Sequence, residues 1–224
     1  MVVILERVCG HTFALNALKQ DSFVLDLGMN QGDFAIWIVS HTPATCFGIE
    51  PVPALFSHLP AHPRIHARQV AVGGRAGSAT LQIYKHHCAS LHSEIVPEDA
   101  LETVPIRIVT LSDLITEFRI QQVDLLKIDI EGAELDLFDS VDQTTLAKVA
   151  QITIEFHDFM DRRMLSRVRQ TISNLREFGF WVQKFSFFDN SDVLAINKSL
   201  LPLSAADHLS ITTQKYIAMI RRKH

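Results

Sequence analysis

The chain has 224 residues, of which 47% are hydrophobic and 21% are charged, and its formal net charge is −4. This length can bury a core without disulfide bonds, and we expect a single domain spanning residues 1–224. The negative charge argues against a general nucleic-acid binder, which needs a basic surface to displace counterions from phosphates. Three widely spaced cysteines suit a reducing compartment. Because no apolar run suits a signal peptide or a membrane span, we expect a soluble cytoplasmic protein.

Short apolar runs alternate with segments of helical period along the chain, a pattern typical of βα units around a mainly parallel sheet. A helix is predicted over 33–39. The clearest helical pattern lies between residues 158 and 178, where apolar side chains such as Met160 recur every three or four positions. Glycine, proline or polar residues bound five predicted strands, which cover residues 22–27, 45–50, 65–72, 123–129 and 151–156.

Near the end of the chain, two strand-like runs, 180–187 and 193–197, flank turn-forming residues and predict an antiparallel hairpin. Residues 75–110 contain two further predicted strands, 79–84 and 105–109, which we interpret as an inserted region of the same domain. Residues 204–224 predict a helical tail that packs on the domain or on a partner subunit in a homodimer. We therefore expect an α/β fold with a mixed, mostly parallel sheet, a terminal antiparallel hairpin and helices on both faces.

The strongest chemical signal is a glycine-containing turn at residues 26–32, between a predicted strand and a predicted helix. Gly28 and Gly32 allow the backbone to approach a ligand closely, but their spacing is not the Gly-x-Gly-x-x-Gly of nicotinamide and flavin sites. Glu50 ends the next strand, where nucleoside-binding sheets place a carboxylate for the ribose hydroxyls. Asp26 suits a cationic ligand better than phosphates, which it would repel. Together these residues favour S-adenosylmethionine, although an ordinary tight turn with two surface carboxylates remains an alternative.

A second signal comes from Lys127, Asp129 and Glu131, whose spacing places them on one face at the carboxyl end of a strand. A charge in a parallel strand must be paired to offset its desolvation, so Lys127 could simply neutralise Asp129 or Glu155. The alternative is that these groups line a pocket for a second substrate.

The sequence Asp-Leu-Leu-Lys-Ile-Asp-Ile-Glu-Gly-Ala-Glu at 124–134 closely resembles the signature of FkbM-type methyltransferases. This class I, S-adenosylmethionine-dependent family is associated with O-methylation of sugar and macrolide hydroxyls. The resemblance covers most of the chain, including a first motif at 24–32, where Met29 stands in place of the more usual alanine, and a ribose-binding acidic motif at 48–53. It implies a Rossmann-like class I sheet of seven strands whose last two strands form an antiparallel pair.

The resemblance also implies the positions of the cofactor and of the acceptor. We expect the cofactor to contact Asp26, Gly28, Asn30, Gly32, Glu50, Pro51, Ala71, Val72, Ser90 and Asp129. Transfer to a hydroxyl needs an in-line geometry and a general base, for which Glu131, Asp129 and His157 are candidates. The full set of candidate catalytic residues is Lys127, Asp129, Glu131, Glu155 and His157.

A divalent metal ion is a possible but not favoured addition. Asp129, Glu155 and His157 would converge near adjacent strand ends and offer oxygen and nitrogen ligands. A hydrogen-bonded structural cluster explains the same residues and is the favoured interpretation. Few residues precede the first predicted strand, so we expect residues 85–104, the tail or a second subunit to cover the pocket.

We therefore expect a methyltransferase that modifies a hydroxyl on a sugar, a glycan or a small natural product. Two alternatives remain at this point. A nicotinamide oxidoreductase would need the glycine pattern that is absent here. A non-catalytic adenosine-binding protein would bind the cofactor without turnover, and methylation of nucleic acid is disfavoured by the net charge.

Overall fold

The computed structural model describes residues 2–83, 89–90, 102–158, 162–186 and 189–221. Its strands are β1 (Leu5–Val8), β2 (His11–Ala14), β3 (Phe23–Leu27), β4 (Thr45–Ile49), β5 (Ile65–Arg68), β6 (Ala71–Val72), β7 (Gly77–Ile83), β8 (Ala89–Ser90), β9 (Glu102–Val109), β10 (Leu125–Ile128), β11 (Gln151–Ile154), β12 (Phe180–Lys184) and β13 (Val193–Asn197). Its helices are α1 (Asp33–His41), α2 (Pro53–Phe56), α3 (Leu111–Glu117), α4 (Glu134–Ser140), α5 (Gln143–Leu146), α6 (Leu165–Glu177) and α7 (Ala205–Arg221).

Seven of the described strands form the main sheet, in the order β12-β13-β11-β10-β3-β4-β5. Strand β13 runs antiparallel to both of its neighbours, and the other pairings in the sheet are parallel. The predicted mixed sheet with a terminal antiparallel hairpin is therefore confirmed. The chain runs from β3 outward to β5 and returns to β10 on the other side of β3. The carboxyl ends of β3 and β10 thus flank a topological switch point, where open α/β sheets bind ligands.

Helices cover both faces of this sheet, as predicted. Apolar residues of α3, α4 and α6 pack on one face in the largest core cluster, which includes Leu114, Leu135 and Val168. Helix α1 and strand β2 cover the other face through Phe34, Ile38 and Phe13. A capping box formed by Thr110 and Asp113 begins α3.

The predicted strand at 65–72 is wrong as a single strand, because the chain leaves the main sheet after Arg68. Residues 71–72 form β6 and pair with β9 in a second sheet of four described strands, in the order β6-β9-β7-β8. Strands β7 and β9 confirm the two strands predicted within 75–110. Leu81 and Ile106 of this sheet pack against Val52 and Ala71, so the region forms a wall beside the end of β4.

The N-terminal hairpin, β1 and β2, was not predicted, since all four residues of β2 are buried and show no alternation. Strand β2 is attached to the main sheet by side chains distant in sequence. The backbone N–H of Ala14 donates to Gln151 Oε1 at 2.8 Å, and Thr12 donates to Asp192 through both its N–H and its hydroxyl group. Such long-range bonds leave no local sequence pattern.

Two helices are close to their predicted positions. Helix α6 begins at Leu165 rather than at residue 158, because Asp158 accepts a hydrogen bond from the backbone of Asn190 and so belongs to the loop after β11. Met160 of the predicted stripe lies outside the described residues. Helix α7 confirms the tail and packs on the N-terminal segment, where Asp207 accepts a hydrogen bond from Val3 N. Within the described ranges, no helix is long and apolar enough to cross a membrane.

Candidate functional site

The glycine turn after β3 begins with a very close approach of two strand ends. Gly28 has a φ of +86°, and a Cβ atom placed there would lie 1.8 Å from the carbonyl oxygen of Asp129. Only glycine permits this approach, which brings the end of β3 against the end of β10. Asn30 also has a positive φ, of 52°, and its N–H points at the end of β4. Gly32 packs against Pro60, below the turn.

Glu50 lies at the end of β4, next to this turn, and is almost fully buried. Its Oε2 atom accepts a hydrogen bond from Asn30 N at 2.7 Å, and its Oε1 atom accepts one from Val52 N at 2.8 Å. Burial raises the pKa of Glu50 to about 7, although these two hydrogen bonds act in the opposite direction. Each carboxylate oxygen still has acceptor capacity, so the group can receive two hydroxyl donors.

A groove runs from the second sheet across the glycine turn to the end of β10. Apolar side chains form one end of it, and Gly28, Asn30, Asp129 and Glu131 form the other. The apolar end suits a planar heterocycle, and Glu50 lies between the two ends. The residues of the apolar end are Ile49, Pro51, Val52, Leu55, Val70, Ala71, Val72 and Leu81.

Most of the predicted cofactor-binding residues line this groove, namely Gly28, Asn30, Glu50, Pro51, Ala71, Val72 and Asp129. Asp26 and Gly32 do not line it, since Asp26 is buried against Lys127 and Gly32 lies next to Pro60. Ser90 belongs to β8, and its side chain lies outside the described part of the structure, as does most of the segment 85–104 that we expected to cover the pocket. Leu81 could not have been assigned from sequence, because only the second sheet brings it to the groove.

A buried ion pair lies beneath the turn. Lys127 is opposite Asp26 in the pairing of β10 with β3, and its Nζ atom is 3.1 Å from Asp26 Oδ1. The same ammonium group donates to the carbonyl oxygen of Gly28 and lies 3.4 Å from Asp129 Oδ2. Burial alone would lower the pKa of Lys127, but the charges of Asp26 and Asp129 outweigh it and raise the pKa. Lys127 is therefore a buried cation beneath the turn that does not line the groove.

The carboxylate of Asp129 lies next to three nitrogen-bearing side chains, those of His11, Lys127 and His157. One of its oxygens, Oδ2, lies 3.4 Å from His11 Nε2 as well as 3.4 Å from Lys127 Nζ. The other oxygen, Oδ1, is 3.8 Å from His157 Nε2. Burial would raise the pKa of Asp129, but the hydrogen bond from His11 and the charges of Lys127 and His157 hold it well below its usual range. Asp129 is consequently a permanent anion and a weak base.

His157 is bound to a carboxylate that the sequence did not identify as part of the site. Its Nδ1 atom lies 2.9 Å from Oε1 of Glu134. The same oxygen accepts hydrogen bonds from the backbone N–H groups of Ile130 and Gly132. Burial would lower the pKa of His157, but Glu134, Glu131 and Asp129 together raise it to about 9. Because a protonated imidazole cannot accept a proton, the structure argues against our prediction of His157 as a general base at neutral pH.

Two further carboxylates surround Asp129. Glu131 lines the groove, its side chain is 40% exposed, and its Oε2 atom is 3.4 Å from His157 Nε2. Burial raises the pKa of Glu131 above its ordinary value in spite of the His157 charge. Burial and the charge of Asp129 raise the pKa of Glu155 in the same way, but Glu155 does not line the groove. Of the predicted bases, Glu131 therefore combines access with basicity best.

The predicted metal ligands Asp129, Glu155 and His157 are divided between two groups. The side chains of His11, Asp129 and Glu155 converge in one group, and those of Asp129, Glu131 and His157 converge in the other. In the group that contains His11, a divalent cation would lie close to the ammonium group of Lys127, which is 3.4 Å from Asp129 Oδ2. His157 is also protonated and already bound to Glu134, so it lacks the neutral nitrogen that a metal ligand needs. The donor set does not fit a metal ion well.

The sheet order, the single reversed strand and the groove at the switch point define a class I methyltransferase fold. The chain belongs to the FkbM methyltransferase family, whose model, described as the Methyltransferase FkbM domain, matches residues 26–182. The resemblance noted in the sequence is thereby confirmed. This membership does not favour the nicotinamide oxidoreductase that the sequence left as an alternative.

Curated relatives support the same family. The chain is 29% identical to AMB antimetabolite synthetase AmbE of Pseudomonas aeruginosa, with 74% of this chain aligned to 10% of AmbE. It is 28% identical to Methyltransferase 1 of Beauveria bassiana, over 62% of this chain and 66% of that protein. It is 27% identical to 31-O-demethyl-FK506 methyltransferase FkbM of Streptomyces tacrolimicus, over 74% of this chain and 75% of that enzyme. The chain thus spans less than two thirds of the first two relatives.

Solved structures show the same fold. Methyltransferase FkbM from Methylobacillus flagellatus superposes with a TM-score of 0.51 at 15% identity, over 79% of this chain and 43% of that chain. Human methyltransferase-like protein 13, solved in complex with SAH, superposes with a TM-score of 0.50 at 11% identity, over 90% of this chain and 82% of that chain. At these identities the likeness concerns the fold alone.

Proposed function

We propose that this protein transfers a methyl group from S-adenosylmethionine to a hydroxyl group on a sugar, a glycan or another small natural product. The observation that carries this proposal is the distribution of carboxylates along the groove. Glu50 offers two acceptor oxygens beside the apolar end, and Asp129 and Glu131 offer negative charge at the far end. This pattern suits an adenosine ligand that ends in a cation, and it would repel a pyrophosphate.

The groove residues have separable roles in this proposal. The apolar end holds the adenine, Glu50 accepts hydrogen bonds from the ribose hydroxyls, and Asp129 faces the sulfonium of the donor. When bound, S-adenosylmethionine would supply an electrophilic methyl group. Holding the acceptor oxygen in line with that group would provide much of the rate.

Glu131 is the proposed general base. It lines the groove next to Asp129, and burial raises its pKa, so it can accept a proton from an acceptor hydroxyl more readily than Asp129 can. The name of the Streptomyces relative, a 31-O-demethyl-FK506 methyltransferase, supports transfer to oxygen.

A binding titration tests the cofactor. Isothermal titration calorimetry with S-adenosylmethionine, S-adenosylhomocysteine and NAD should show binding of the first two ligands, and tight binding of NAD alone would contradict the proposal. Glu50→Ala should weaken both adenosyl ligands by roughly tenfold or more, because the ribose loses its acceptors. Glu117→Ala, which removes a half-exposed carboxylate outside the groove, is the matched control.

Turnover tests the chemistry. Methyl-labelled S-adenosylmethionine should label a component of a pool of glycans and polyols, and Glu131→Gln should lower that rate by a larger factor than it weakens cofactor binding. Binding without any transfer would favour the non-catalytic adenosine-binding protein instead.

A further inference from the structure

We propose that His11, on the N-terminal hairpin, is a positioning residue that fixes Asp129 toward the sulfonium of the methyl donor. This inference rests on the proposed function. His11 precedes residues 26–182, the segment that the family model matches. Its side chain is completely buried, and its Nε2 atom is 3.4 Å from Asp129 Oδ2.

The surroundings of the ring decide which nitrogen carries the hydrogen atom. The Nδ1 atom of His11 is buried and has no hydrogen-bond partner among the described residues. A buried N–H group without an acceptor is costly, whereas Nε2 faces a carboxylate oxygen. We therefore assign the hydrogen to Nε2, which donates to Asp129. The edge of the ring also packs on Phe34, at 6.0 Å between centroids, which limits its rotation.

The hairpin that carries His11 is fastened to the sheet on both sides of the residue. Thr12 donates to Asp192 from its backbone N–H at 3.0 Å and from its hydroxyl group at 2.8 Å. On the preceding strand, the Nε atom of Arg7 donates to the same carboxylate at 3.0 Å. His11 is thus held by the body of the protein and not by a loop, as a positioning residue requires.

Two donors therefore hold the same oxygen of Asp129. His11 Nε2 and Lys127 Nζ both approach Oδ2, while Asp129 also lines the groove. These two donors fix the orientation of the carboxylate. Within the proposed function, this anion stabilises the sulfonium of S-adenosylmethionine and has less effect on the neutral thioether of S-adenosylhomocysteine. Loss of the His11 hydrogen bond should therefore weaken the donor more than the product.

The test measures the dissociation constants of both adenosyl ligands by calorimetry for wild-type protein, His11→Phe and His11→Gln. Phenylalanine keeps the packing on Phe34 and removes the donor, while glutamine can place an N–H near the Nε2 position. We expect His11→Phe to bind S-adenosylmethionine roughly tenfold more weakly and S-adenosylhomocysteine within about twofold of wild type. We expect His11→Gln to restore most of the preference.

Thr12→Val is the matched control, because it loosens the same hairpin without touching Asp129. It should lower the melting temperature and leave the ratio of the two dissociation constants unchanged. The inference is overturned if His11→Phe leaves that ratio at its wild-type value, if it weakens both ligands equally, or if Thr12→Val changes the ratio as much. Failure of the wild-type protein to bind either ligand would instead overturn the proposed function.

Discussion

The carboxyl group of Glu50 is close to half-protonated at neutral pH in the ligand-free protein, since burial raises its pKa to about 7. Ribose hydroxyls would donate to the ionised form, so binding should release protons. We predict that the affinity for S-adenosylhomocysteine falls by about tenfold per pH unit as the pH drops below 7. Calorimetry between pH 5.5 and 7.5, in buffers of different ionisation enthalpy, measures both quantities. Glu50→Gln should bind weakly without this pH dependence, and a flat wild-type profile would count against ribose recognition by Glu50.

Protonation of His157 contributes to the stability of the folded protein. Its pKa is about 9 in the folded protein and 6.5 for a histidine in the unfolded chain, so protonation favours folding. This contribution is fully present below pH 6.5 and is lost as the pH rises through 9. Urea unfolding of wild type and His157→Gln at pH 7 and pH 10 should show the stability difference shrinking by about 2 kcal/mol. A difference that is constant with pH would mean that Glu134 does not hold the charged imidazole.

Gly28 offers a test of the contact between the two strand ends. Its Cβ position overlaps a backbone oxygen that cannot move aside, whereas Gly179, with a similar φ of +94°, has nothing within 4 Å of its Cβ position. Gly28→Ala should therefore cost roughly 3 kcal/mol or more in the free energy of unfolding. Gly179→Ala should cost about 1 kcal/mol for its backbone conformation alone. Equal losses in denaturant melts would show that the close approach to Asp129 is not important for stability.

At the scale of elements, Met29 joins the glycine turn to β4. A Cβ atom on Gly48 would lie 2.3 Å from the sulfur of Met29, so the long side chain occupies space that a larger residue in β4 would need. Gly48→Ala should lower the unfolding free energy, and Met29→Ala in the same chain should recover part of the loss. We expect a coupling energy of about 1 kcal/mol in the double-mutant cycle. Strict additivity would contradict this packing relation.

The elements that could be predicted are those with local signals. Strands β3, β4, β10 and β11 are short apolar runs that end at glycine, proline or charged residues, and the β12–β13 hairpin has turn residues between its strands. The division of 65–72 between two sheets depends on where β9 pairs, and no local pattern specifies it. Similarly, the strand-end carboxylates Glu50 and Asp129 could be found from spacing. His11 could not, because its partner is 118 positions away in sequence.

At the scale of the whole molecule, Asp207 connects the two ends of the described chain. Its Oδ1 atom accepts from Val3 N at 2.7 Å, and its Oδ2 atom accepts from Ser204 N at 2.8 Å. Asp207→Ala should speed amide hydrogen exchange in β1 and β2, because it releases the start of the hairpin from α7. Asp142→Ala removes a cap from α5 only and should leave exchange in the hairpin unchanged. Unaltered protection of the hairpin in Asp207→Ala would show that other contacts suffice.

The charge of the molecule is also organised at this scale. Asp26, Asp129, Glu131, Glu134 and Glu155 all lie at or near the carboxyl ends of β3, β10 and β11, where Lys127 and His157 offset only part of their charge. Part of the negative net charge of the sequence is therefore concentrated beside the groove. Such a field favours a cationic ligand over an anionic one.

The position of β13 has a practical consequence for any shortened version of this protein. The family match ends at residue 182, but β13 lies between β11 and β12 in the sheet, and its Leu194 and Ile196 pack with Val3 and Ile211. A fragment limited to 26–182 would leave β11 with an open edge and β12 without its neighbour. Unpaired apolar edges of this kind promote aggregation. Such a fragment should therefore be insoluble, even though it contains the whole segment that matches the family model.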